Sequence, residues 1–139
     1  MPDTVRKVNY YSIWVPNKPA QAFNVLSTLV SAGVNLLACS GKPRGRRAEI
    51  DVVPDDARKF SNAVKKARLR FKREKIGFLI QGEDRPGALA EHLGKLGAVG
   101  INVTGIDAVS AGEGRFGAIL WVNRDDVPRA GRVLAAKAR

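Results

Sequence analysis

IGFLIQGEDRPGALAEHLGKLGAVGINVTGIDAV, residues 76–109, is the stretch whose reading decides the fold. Ile76 to Gln81 is rich in aromatic and β-branched residues and reads as a strand. Asp84-Arg85-Pro86-Gly87 closes it with a loop, and Pro86 suits the first turn of a helix, where its missing N–H would have no partner anyway. Leu89, Leu93 and Leu96 then recur at helical spacing, and Gly100 ends the helix. Ile101 to Val109 reads as a second strand and Phe116 to Val122 as a third. Asp125-Asp126 opens a second helix, favourable at the positive end of its dipole, with Val127, Ala130, Val133 and Leu134 on its inner face.

The same succession occurs earlier in the chain. At an offset of 67, Pro19 falls on Pro86, Leu26 on Leu93, Leu29 on Leu96, Gly33 on Gly100 and Asn35 on Asn102. Asp55-Asp56 matches Asp125-Asp126 at an offset of 70, and the extra residues fit the hairpin loop Ala111-Gly112-Glu113-Gly114, where insertions are tolerated. The first copy reads as strand Tyr10 to Val15, a helix with Ala22, Val25, Leu26, Leu29 and Val30 inward, strands Val34 to Ser40 and Glu49 to Val53, and a helix with Ala57, Phe60, Val64 and Ala67 inward. A fourth strand follows near Leu69 to Arg73 and runs almost directly into the strand of the second copy. The sequence thus predicts an α+β chain of two tandem ferredoxin-like βαββαβ units with antiparallel sheets, residues 1–75 and 76–139. The second unit lacks a visible fourth strand. Its open edge needs cover from the other copy, from Thr4 to Asn9, or from a second chain.

The pairing of Asp84-Arg85-Pro86-Gly87 with Gly100-Ile101-Asn102, the asparagine sixteen residues after the proline, closely resembles an ACT domain. The first copy is similar in looser form, with Asn17-Lys18-Pro19-Ala20 and Gly33-Val34-Asn35. The likeness covers nearly the whole chain, as in stand-alone tandem ACT proteins. It implies a non-catalytic regulatory protein that holds an amino acid between ACT units, at the loop between first strand and first helix, and acts as a homo-oligomer or on a metabolic enzyme or regulator.

The residues give such a site its chemistry. A helix N-terminus offers unpaired N–H groups and a positive dipole end to an α-carboxylate. Gly87 lets a ligand come close to the backbone at Arg85 to Ala88, and Asp84 offers a carboxylate to an ammonium group. Asn35, Asn102 and Asn17 each offer a donor and an acceptor, although an Asp or Asn beside a helix is often only a cap or turn residue. Because the strands of a βαβ crossover are parallel, Asp84 and Asn102 lie at opposite edges. Composite pairs of Asp84 with Asn35 and Asn17 with Asn102 are therefore expected. Ala20 stands where glycine is usual, so one good site and one degraded site are expected.

Composition narrows the alternatives. The chain has 139 residues and 45% hydrophobic content, no apolar run long enough for a membrane helix, and no apolar segment in Met1 to Val8, so a cytoplasmic protein without signal peptide is expected. A single cysteine, Cys39, excludes an internal disulfide and reads as a small buried hydrophobe; the single histidine, His92, reads as solvated. Neither a metal cluster nor a catalytic constellation can be assembled, so no cofactor and no enzymatic activity are expected. The net charge of +11 is concentrated between Lys42 and Lys75, with 13 Lys/Arg against 5 Asp/Glu. Such a face attracts polyanions. Two other readings follow: an RNA-binding ferredoxin-like protein using that face, with Arg115 to Trp121 faintly like an aromatic RNA-recognition strand, and a docking module for an enzyme that binds nothing small.

Overall fold

The structure, a computed structural model, describes residues 3–137, with residues 73–75 described by their backbone alone. Its elements run β1 (Thr4–Pro16), α1 (Gln21–Ser31), β2 (Leu36–Arg44), β3 (Arg47–Pro54), α2 (Ala57–Lys66), β4 (Phe71–Glu83), α3 (Ala88–Ala98), β5 (Val103–Gly112), β6 (Arg115–Val122), a 3-10 turn (Arg124–Asp126) and α4 (Val127–Val133). The chain is α+β, with two βαββαβ-like units and antiparallel sheet pairing. Contacts divide it into an inner unit, Asn9–Lys75, and an outer unit made of the described residues up to Val8 and those from Ile76 onward. Strands β1 and β4 each contribute to both.

In the inner unit the strand order is β2-β3-β1-β4. Alternation along β1 sends Tyr11, Ile13 and Val15 into a core with Ile50 and Val52 of β3, Val25 and Leu29 of α1, and Phe60, Ala63 and Val64 of α2. Phe60 sits between Tyr11, 4.7 Å away, and Phe71, 5.8 Å away and edge-on. Asp56 caps α2, its Oδ1 accepting from Arg58 N at 3.0 Å and Lys59 N at 3.1 Å, as the acidic turn foretells. Val30, expected inside, is 73% exposed. The buried stripe of α1 is narrower than its apolar sequence, leaving Phe23 exposed as well.

In the outer unit the order is β5-β6-β4-β1, so Thr4–Val8 supplies the strand that the sequence of the second copy lacks. Val5 enters the core, with Phe78, Ile80, Leu96, Phe116, Leu120 and Leu134. Lys7 N donates to Lys137 O at 3.0 Å and Lys137 N to Val5 O at 2.9 Å, which ties down the other side of that strand. Residues beyond Lys137 lie outside the described ones. Trp121 lies on the opposite face, against Gly77 and Gly105, where an added Cβ would come within 3.1 Å of the indole. Asp125 and Asp126 form the 3-10 turn ahead of α4 rather than its first helical turn.

The repeat extends to backbone detail. Gly33 and Gly100 both adopt left-handed φ, 75° and 74°, and the next residue in each copy donates back to the helix, Val34 N to Leu29 O and Ile101 N to Leu96 O. Register shifts fall at Leu36/Ala38 and Val103/Gly105, again 67 residues apart. The three extra residues lie in the β5–β6 turn, where Gly112, Glu113 and Gly114 all have positive φ. Among the described residues no helix is long and apolar enough to cross a membrane.

Candidate functional site

Strand β4 ends at Glu83, and Asp84 to Gly87 turn the chain into α3. Gly87 takes the N-cap position with φ 82° and ψ 1°, and an added Cβ there would meet nothing within 4 Å, so the glycine answers to backbone conformation and leaves open space beside it. Glu91 N donates to Gly87 O, the first intrahelical bond; the N–H groups of Leu89 and Ala90 precede any i−4 acceptor. The insertion in the β5–β6 hairpin reaches this loop. Asp84 N donates to Gly114 O at 2.8 Å, and Ser110 Oγ donates to Asp84 Oδ2 at 3.0 Å.

These pieces enclose an open cavity of about 400 Å³. Asp84, Arg85, Gly87, Ala88, Leu89 and Ala90 form one wall, and Ala108, Val109, Ser110 and Phe116 the other. The cavity offers a carboxylate fixed by a serine, the N-terminal dipole of an eleven-residue helix and an apolar lining. Charge of both signs can be met within it: an ammonium by Asp84, a carboxylate by the first turn of α3.

Arg85 is held from behind. Its Nη2 donates to Glu91 Oε2 at 2.9 Å and its Nη1 to Glu83 O at 3.0 Å, with a longer bond of 3.4 Å to Asp3 Oδ1. Asp3 Oδ2 also accepts from His92 Nε2 at 2.8 Å, and both side chains are only 7% exposed. The carboxylate can only accept, so the shared proton belongs to Nε2. Burial alone would raise the Asp3 pKa, but the bonds from His92 and Arg85 outweigh it and hold the carboxyl below its usual value. His92 is thus not solvated, as its charged neighbours in sequence imply, but buried against Asp3, one helical turn after Ala88 and one before Leu96.

Asn102 shares the unit of this cavity, and Asn35 and Asn17 belong to the other unit. Asn102, exposed beyond the far end of α3, is not among the cavity residues; the helix, about 16 Å long, separates it from Asp84. In the inner unit Asn35 exchanges bonds with Asp55, its N–H to Oδ1 at 3.3 Å and its carbonyl from Asp55 N at 2.9 Å. Asn17, the counterpart of Asp84, donates N–H to Arg46 O at 2.9 Å and Nδ2–H to Gly45 O at 3.4 Å, so its amide closes on the β2–β3 turn. Ala20, the counterpart of Gly87, has φ 70° and ψ −5°, so the same left-handed entry to the helix is kept without the glycine. Cys39 is exposed, not buried: it lies on β2, whose residues are at most half-buried.

Sequence reasoning did not reach Ser110 or Asp3. Both come to the loop through strand register and chain crossing, which local spacing does not encode.

No family model matches the chain, and no curated protein matches it. Solved structures do. A Bacteroides thetaiotaomicron protein superposes with a TM-score of 0.79 at 22% identity, covering 96% of this chain and 88% of its own. The ligand-free regulatory subunit of aspartate kinase from Thermus thermophilus gives 0.64 at 17% identity, covering 97% and 95%. The corresponding Thermus flavus subunit gives 0.55 at 17%, covering 95% of each chain. At these identities the likeness is one of fold alone: the chain shares the two-unit α+β architecture of these structures.

Proposed function

We propose that the chain is a non-catalytic regulatory protein that binds a free amino acid in the cavity between Asp84 and Ser110. The observation that carries this reading is the convergence of a serine-fixed carboxylate and an open helix N-terminus on one small cavity. In it, the ligand's α-carboxylate lies against the N–H groups of Leu89 and Ala90, where the helix dipole favours negative charge. Its ammonium faces Asp84, and its side chain lies along Ala108, Val109 and Phe116. Gly87 keeps the approach to the helix end clear. Arg85 braces the loop from behind through Glu91 and Asp3. The fold shared with regulatory subunits of aspartate kinase agrees with a regulatory role.

The test is a thermal-shift screen of the chain against the twenty amino acids. A ligand that binds the native state alone raises the melting temperature by mass action, by about 2.7 kcal/mol of stability at a hundredfold excess over Kd. A selective shift that Asp84→Ala removes bears the reading out. If no amino acid shifts the melt at millimolar concentration, the chain is a docking module instead.

A further inference from the structure

A second constellation lies in the inner unit, on the sheet face away from its helices. Tyr11, Ile13 and Val15 point into the core, so Trp14 between them points to the opposite face. The same alternation places Arg47 there, because Ala48 packs against the core, and Arg70 and Lys72 there, because Phe71 does. The strands bring the four together: Trp14 N donates to Arg70 O at 3.3 Å, and Pro16 of β1 is opposite Arg47 of β3. With Phe71 they line a cavity of about 210 Å³. The Arg47 guanidinium lies over the indole, 5.9 Å from its centroid.

None of Arg47, Arg70 and Lys72 has a carboxylate partner among the described residues. The acid opposite Trp14, Glu49, is taken by Arg44 at 3.1 Å. Among the described residues, three exposed cations without a carboxylate partner thus surround one partly buried indole, an arrangement that matches a ligand both negative and flat. A planar ring satisfies the indole and a phosphate satisfies the cations; a bare anion leaves the indole unused, and an uncharged ring leaves the cations unused. Arg47 does not block the ring. A cation–π contact at an exposed site is worth only about 0.5–1 kcal/mol, so an incoming base displaces the guanidinium at small cost and frees it as a further phosphate donor.

We propose that the Trp14–Arg47–Arg70–Lys72 cavity binds a nucleoside phosphate, the base stacked on Trp14 and the phosphate held by Arg70 and Lys72. The ligand chemistry, a base joined to a phosphate, is offered both by free nucleotides and by single-stranded nucleic acid, and Lys42 and Arg44 of β2, opposite Glu49 and Arg47 of β3 and so on the same face, would extend the track for a strand. This proposal is independent of the amino-acid cavity, which lies in the other unit.

The test is calorimetric titration of the full chain with AMP, adenosine, inorganic phosphate and an eight-nucleotide single strand, at two salt concentrations. AMP should bind at least tenfold more tightly than adenosine or phosphate, and Trp14→Ala should weaken it about tenfold, in line with measured base stacking. Trp14→Phe should restore most of the loss, which separates stacking from damage to the sheet, checked by the melting temperature. Arg70→Ala should weaken binding and flatten its salt dependence, whereas Lys59→Ala on α2 should do neither. A strand that binds far more tightly than AMP identifies nucleic acid as the source, and equal affinity identifies the free nucleotide. Phosphate binding as tightly as AMP, with Trp14→Ala silent, or Lys59→Ala as harmful as Arg70→Ala, overturns the proposal.

Discussion

A methyl group added at Gly82 should unfasten Asp3. The Cβ of an alanine there would occupy the position of the Asp3 carboxylate and come within 3.0 Å of the Phe116 ring. The carboxylate must leave, and with it goes the bond to His92, in which both partners are buried. Hydrogen bonds to a charged group contribute about 1.5–3 kcal/mol. The Arg85 bond adds little, being 3.4 Å long with an arginine side chain 36% exposed. Asp3→Ala should therefore cost about 2–3 kcal/mol, and Gly82→Ala somewhat less, since alanine in a strand recovers about 0.5–1 kcal/mol relative to glycine. The double variant has no carboxylate left to expel. Its loss should be no greater than that of Asp3→Ala, a coupling of about 2 kcal/mol where independent sites would add. Urea titration resolves this, since 2 kcal/mol moves the midpoint by roughly 1 M at a typical slope. The contribution also has a pH signature. Asp3 has a depressed pKa, so its stabilisation is present above the ordinary aspartate value of about 3.8 and is lost as pH falls through the lower folded value. The wild type should thus lose more stability than Asp3→Ala below pH 4. Additive losses in the double variant, or identical acid profiles, would refute the clasp.

Three further outcomes are expected. Ala20→Gly should raise stability by about 0.5–1 kcal/mol, because the left-handed conformation costs an L-residue about 1–2 kcal/mol and Ala20 is exposed; Gly87→Ala should lower it by a similar amount, and chemical denaturation of both variants reads the pair. A β-branched residue is strained at φ 82°, so Gly87→Val would disturb the helix entry itself as well as a ligand's approach. Asp84→Ala should weaken the amino acid found by screening by about ten- to a hundredfold in calorimetry, the loss of one charged hydrogen bond, while Asn102→Ala leaves it unchanged. Asp51→Asn should flatten the loss of stability as pH rises above about 4.5. Burial first, then the adjacent Asp51, push the Glu49 carboxyl above its usual value, so its stabilisation is full below about 4.5 and lost as pH rises through the folded value; an amide at position 51 keeps the acceptor for Ser12 Oγ, now 2.6 Å away, and removes the like charge. An unchanged slope in midpoint against pH would count against that account.

What could be seen in the sequence, and what could not, divides along the range of the interactions involved. Gly100 announces itself because a helix-end conformation is set within a few residues, whereas Pro86, read as part of the first helical turn, stands one residue before the Gly87 N-cap. The burial of His92 could not be foreseen, because its partner Asp3 lies 89 residues away and reaches it only through the strand that returns from the start of the chain. From sequence, Thr4 to Asn9 is one of three ways to cover the open edge, and only the strand order selects it. The exposure of Val30 and Cys39 likewise depends on what a helix or strand faces, which periodicity does not say. The two copies make the point within one molecule. Ala20 and Gly87 hold nearly the same backbone angles, so the glycine is not what makes the turn. At the next level the copies part. Asn17 donates its amide to the short β2–β3 turn, whereas the three added residues of the β5–β6 hairpin supply Gly114 for the Asp84 N–H, and Ser110 then fixes the carboxylate. Hairpin length and the residue at the strand end, rather than the helix entry itself, thus separate a loop that closes on its own turn from one that presents a carboxylate to a cavity.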